Sequence, residues 1–152
     1  MSTIESKLQQ DFRYFLTAVW THVNLPAPTR AQLCIAEYLQ HGPKRLQIQA
    51  FRGVGKSWIT AAFVLWTLFN NADKKIMVVS ASKDRADSFS IFCQRLILEV
   101  PWLSLLKPKN DDQRWSRISF DVGPAAPHQA PSVKSVGITG QLTGSRADLM
   151  VL

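Results

Sequence analysis

The run Ala50-Phe51-Arg52-Gly53-Val54-Gly55-Lys56-Ser57 sets two glycines, a lysine and a hydroxyl in the order that a polyphosphate requires. It departs from the pattern G-x-x-x-x-G-K-[ST] at one position, where Ala50 replaces the first glycine. In such a loop successive backbone N–H groups curl around a phosphate, the lysine reaches the β and γ oxygens, and the hydroxyl holds a magnesium ion. Lys56 is accordingly the expected catalytic cation and Ser57 the expected Mg2+ ligand. The nucleotide-binding stretch comprises Ala50, Phe51, Arg52, Gly53, Val54, Gly55, Lys56, Ser57 and Trp58. A plain Gly-x-Gly turn ahead of a helix would need neither the lysine nor the serine.

This chemistry needs a strand before the loop and a helix after it. Residues 45–50 alternate, with Leu46, Ile48 and Ala50 against Arg45, Gln47 and Gln49, which predicts a strand. Residues 56–70 read as an apolar helix, whose N-terminus adds unpaired N–H groups and partial positive charge where a phosphate would sit. Residues 75–80 form a nearly continuous apolar run, as in a strand buried on both faces. Ser82 then caps a long helix carrying Ala86, Phe89, Phe92, Cys93, Leu96 and Ile97 inward, ending near Pro101. Strand, helix, strand, helix predicts an α/β fold, a mainly parallel sheet flanked by helices.

Upstream, apolar residues from Ile4 to Val19 recur at helical spacing, so one amphipathic helix is expected over 2–22, opened by a Ser2-x-x-Glu5 capping box. Pro26 and Pro28 end it, and a second helix starts at Thr29 and runs towards Gly42-Pro43. Beyond Trp102, residues 107–117 are charged and loop-like, 118–122 could be a strand, and 123–131 are rich in Pro and Ala. Residues 133–138 and 148–152 read as two short strands separated by a turn at 140–145.

Eighteen basic against 11 acidic residues give a net charge of +7, which favours a polyanionic partner, nucleic acid above all. Lys107, Lys109, Arg114 and Arg117, interleaved with Trp102 and Trp115, either contact a DNA backbone or make a solvated loop with a tryptophan tucked inward. Cys34 and Cys93 have no metal-ligand spacing, and His22, His41 and His128 are scattered. No secretory leader is evident, and no apolar run approaches the ~18 residues of a membrane span.

In order, Thr29-Arg30-Ala31-Gln32, the loop from Phe51 to Ser57, Val79-Ser80-Ala81-Ser82 and the closing Thr143-Gly144-Ser145-Arg146-Ala147-Asp148-Leu149-Met150-Val151-Leu152 resemble the N-terminal ATPase part of the large terminase subunits of tailed bacteriophages. The resemblance covers nearly the whole chain. It implies a P-loop NTPase of the ASCE type that binds ATP with Mg2+ and hydrolyses it to translocate double-stranded DNA into a procapsid, the longer form also cutting concatemeric DNA. Implied partners are double-stranded DNA, the portal ring, the small terminase subunit and further copies in a homo-oligomeric ring. The implied location is the host cytoplasm, outside the mature virion and away from any membrane.

By the same resemblance Gln32 contacts adenine, Arg52 stabilises charge developing on the γ-phosphate, and Arg146 acts as an arginine finger towards a neighbouring subunit. Each has a plainer alternative. Thr29-x-x-Gln32 is also a capping box, and the two tasks compete for one amide; Arg52 and Arg146 could be solvated loop arginines. Residues 149–152 resemble the strand that precedes the family's acidic pair, whose first member supports magnesium and whose second polarises the attacking water. Neither follows here, and Asp148 lies at the wrong end of the strand. The expectation is a helical lead-in over 1–43 and an incomplete core over 44–152, truncated before the acidic end of the second nucleotide-binding strand and lacking the C-terminal nuclease domain. Such a piece should bind weakly and hydrolyse little. A helicase-like ATPase and a non-catalytic binding or regulatory fragment are the alternatives.

Overall fold

Residues 3–140 and 147–152 are described in the computed structural model, which groups into two units, residues 1–66 and 67–152. The first unit holds helices α1 (Thr3–Gln10), α2 (Phe12–His22), α3 (Arg30–His41) and the first three turns of α4 (Lys56–Asn70).

The single helix expected over 2–22 is two. Asp11 is extended (φ −126°) and its carboxylate accepts from the Arg13 N–H, so it caps α2 instead of continuing α1. The break frees the Gln10 carbonyl and the Phe12 N–H, and the Gln40 amide of α3 takes both, at 2.7 and 3.0 Å. The apolar periodicity persists across the break, which keeps Leu8, Phe12, Phe15, Leu16, Val19 and Trp20 buried together. Phe12 meets the rings of Phe63 and Trp66 at centroid distances of 5.2 and 5.5 Å, and the Trp66 indole N–H donates to the Leu8 carbonyl at 2.9 Å. The apolar face of the leading helices is thus used inside its own unit, leaving Ile4 outside.

The alternation over 45–50 survives as a pattern of exposure, with 46, 48 and 50 half-buried and 45, 47 and 49 exposed. Its pairing does not: among the described residues this segment joins no strand. A strand requires a neighbour's N–H and C=O groups as well as alternation, and no described backbone supplies them.

Among the described residues the second unit is built on a four-stranded mixed sheet in the order β2, β3, β1, β4: β1 (Ile76–Ser80), β2 (Ser119–Phe120), β3 (Val133–Gly137) and β4 (Leu149–Val151). β1 runs parallel to both neighbours, Ile76 opposite Val133 on one side and Leu149 on the other. β2 is antiparallel to β3. The continuous apolar run of β1 is explained by burial on both faces, since Ile76, Met77, Val78 and Val79 are all buried. Met77 and Val79 join Val136 and Ala147 in one cluster. Helix α5 (Lys83–Glu99) packs on β3 and β1, burying Ala86, Cys93, Leu96 and Ile97, and a 3-10 turn follows at Pro101–Leu106. The second unit is therefore α/β, with three parallel strands and one short antiparallel edge.

Candidate functional site: the loop at residues 50–57

Two glycines shape this loop. Gly53 (φ +95°) and Gly55 (φ +88°) both adopt the left-handed conformation that side chains disfavour, with Val54 buried between them. Around Gly53 the direction a Cβ would take is open to 4 Å, so conformation alone selects glycine there. Alternating hands along a backbone turn successive N–H groups to one side, which makes an anion-binding concavity. Helix α4 begins at Lys56 directly after the second glycine, and the Ile59 N–H already bonds the Gly55 carbonyl at 3.0 Å. The first N–H groups of a helix have no partner within it, so those of Lys56 and Ser57 continue the run of donors begun in the loop.

The loop also places its cations. Lys56 folds back to donate to the Ala50 carbonyl at 3.0 Å. Arg52 is exposed and, among the described residues, has neither an ion pair nor a hydrogen bond. Ser57 and Trp58 are exposed in the first turn of α4, and the Phe51 side chain is 68% exposed at the outer side of the loop.

Gln32 reaches this loop from α3. The capping box is present: the Gln32 N–H donates to the Thr29 hydroxyl at 3.3 Å, and the Gln32 Oε1 accepts from the Thr29 N–H at 2.9 Å. The same side chain also donates from Nε2 to the Val54 carbonyl at 2.9 Å. A sequence separation of 22 residues hid that second bond, and no local pattern announces it.

Other candidates are placed elsewhere. Arg146 lies outside the described residues. Arg114 does not belong to an open cationic surface: it holds Asp121 through Nε and Nη2 at 3.1 and 3.2 Å and donates to the carbonyls of Gln129 and His128. The Trp115 ring meets Phe120 edge-on at 5.4 Å, so the inward alternative holds for that tryptophan. Lys107, Lys109 and Arg117 remain exposed. Asp148 serves the sheet, its Oδ2 accepting from the Lys75 N–H at 2.9 Å while its own N–H donates to the Lys75 carbonyl at 2.7 Å.

Sequence reasoning passed over one charged cluster. Asp87 on α5 accepts from Lys83 and from the buried Ser135 hydroxyl of β3. Burial raises the Asp87 pKa, but the bonds from Lys83 and Ser135 and the charges of Lys83 and Arg117 outweigh it and hold the carboxyl below its ordinary range. With Ser135 almost wholly buried, the cluster ties α5 to β3. Burial pushes the Cys93 thiol up, which leaves it an inert core group. Among the described residues no group of His, Cys, Asp and Glu is placed to hold a metal ion, and no helix is long and apolar enough to cross a membrane.

No family model matches the chain. A protein of Enterobacteria phage T3 described as "Terminase, large subunit" is 54% identical to it over 149 residues, which cover 97% of this chain and 25% of that protein. The chain thus spans about a quarter of the length of this relative. Across nearly all of its residues, therefore, the chain is similar to one part of a phage large terminase subunit, the family that its loop, its glutamine and its closing motif resemble.

Proposed function

We propose that this chain is the ATP-binding part of a viral DNA-packaging motor of the terminase kind, with a P-loop nucleotide-binding fold. Support comes above all from the loop itself: two left-handed glycines lead into the N-terminus of α4, with Lys56 and Ser57 as its first residues. That donor set fits a triphosphate. The N–H groups of the loop and of the first helical turn bind phosphate oxygens, and Lys56 adds a mobile positive charge. Arg52, without a competing partner among the described residues, is available to stabilise charge on the γ-phosphate. Ser57 would hold Mg2+ through its hydroxyl, and the ion would supply positive charge against the charge of the phosphate oxygens. Gln32 contacts adenine, and Arg146 is the candidate finger towards a neighbouring copy in a ring.

Hydrolysis coupled to translocation of double-stranded DNA, the portal ring and small-subunit partners, and action in the host cytoplasm follow from the likeness to the large terminase subunit. The loop residues account for binding, which is therefore the step to test. Titration of Mg·ATP into the chain tests the reading. Saturable binding that Lys56→Ala weakens by about 10- to 100-fold is the expected result, and binding unaltered by Lys56→Ala overturns it.

A further inference from the structure

We infer that Gln32 is a positioning residue for the phosphate loop, fixing the Val54–Gly55 peptide while leaving half of its amide free to read the base. This rests on the nucleotide reading above. The Val54–Gly55 peptide is the loop's weak point, because Gly55 itself and Gly53 just before Val54 permit a wide range of backbone angles. A trans peptide is planar, with its C=O and N–H pointing in opposite directions. Holding the Val54 carbonyl therefore aims the Gly55 N–H away from Gln32. The hold is the 2.9 Å bond from Gln32 Nε2, and a Cβ added at Gly55 would come within 3.4 Å of that nitrogen. Gln32 is in turn held by Thr29 at the start of α3.

The apparent competition between capping and base contact disappears on this geometry. A primary amide has two donor hydrogens and two acceptor lone pairs. Thr29 uses one lone pair and Val54 uses one hydrogen, so among the described residues one donor and one acceptor remain. That is the complement of adenine's N7 and N6 edge. The two protein bonds orient the amide plane before a base arrives, and base recognition and loop geometry share one side chain.

The experiment compares Mg2+-supported binding of ATP, GTP and inorganic tripolyphosphate to the 152-residue chain, to Gln32→Ala and to Gln32→Glu, with thermal melts to establish folding. Gln32→Glu keeps an oxygen for the Thr29 N–H and removes the donor to Val54. Both variants should lose affinity for tripolyphosphate by about fivefold, the value of one neutral hydrogen bond, and should lose more for ATP. The amide resonance of Gly55 should shift in both, with faster hydrogen exchange, while resonances of the second unit stay in place. Loss of ATP affinity with tripolyphosphate binding and the Gly55 resonance unchanged would make Gln32 a base contact only and overturn the inference. A wild-type chain that binds neither ATP nor tripolyphosphate would overturn the nucleotide reading itself, and the inference with it.

Discussion

Lys56 rests its ammonium group 3.0 Å from the carbonyl oxygen of Ala50, six residues back along the same loop. The cation closes across the stretch of backbone that would hold a phosphate, and the position that departs from the glycine pattern supplies the acceptor. An exposed lysine bonded to a neutral carbonyl is readily exchanged for one bonded to a phosphate, because an anionic acceptor adds the attraction of opposite full charges.

Lys56→Ala should therefore cost binding without costing stability. The expected loss of Mg·ATP affinity is about 10- to 100-fold, from one charge-assisted contact, read by calorimetric titration. Its thermal midpoint should match that of the wild type.

Arg52→Ala separates binding from rate. In a form extended to the length of the relative, kcat for ATP hydrolysis should fall by about 10³, as for removal of an arginine that stabilises the transferring phosphoryl, with KM changing far less. Steady-state ATPase kinetics check this; a change confined to KM would make Arg52 a ground-state contact.

The Arg114 and Asp121 pair sets a pH dependence. Burial raises the Asp121 pKa, but bonds from the Arg114 side chain and N–H, the Arg114 charge and the Ser132 N–H outweigh it, so the folded value lies below the ordinary one. A depressed carboxylate contributes stability above its unfolded pKa of about 3.9 and loses it as pH falls through the folded value. Asp121→Asn should be less stable than wild type by about 1–3 kcal/mol at pH 7, and urea titrations should show the gap closing below about pH 4.

Phe12 tests the core of the first unit, where it is fully buried against Phe63 and Trp66. Phe12→Ala should cost about 3–5 kcal/mol. Gln40→Ala, which unties the break between α1 and α2, should cost nearer ~1 kcal/mol for its two partly exposed bonds. Thermal or urea denaturation ranks the two.

What could be read in the residues was governed by how local its cause is. β1 was legible because a strand buried on both faces must be apolar throughout, and α3 because Thr29, Gln32 and Gly42 mark its ends. The break at Asp11 was not, since no glycine or proline marks it and its rescue comes from Gln40, about thirty residues away. The loop's glycines could be recognised by pattern, whereas the Gln32 bond to Val54 required the fold. Arg114 misled for the same reason: its acceptors lie 7 to 15 residues downstream, where neighbouring residue types offer no hint of an ion pair.

Among the described residues β4 closes one side of the sheet, and Met150 on it remains 52% exposed. A parallel strand so placed presents a row of N–H and C=O groups and uncovered apolar surface, a template for adding foreign strands. At high concentration this polypeptide should form β-rich aggregates through that edge, and a lysine at Met150 should raise its solubility.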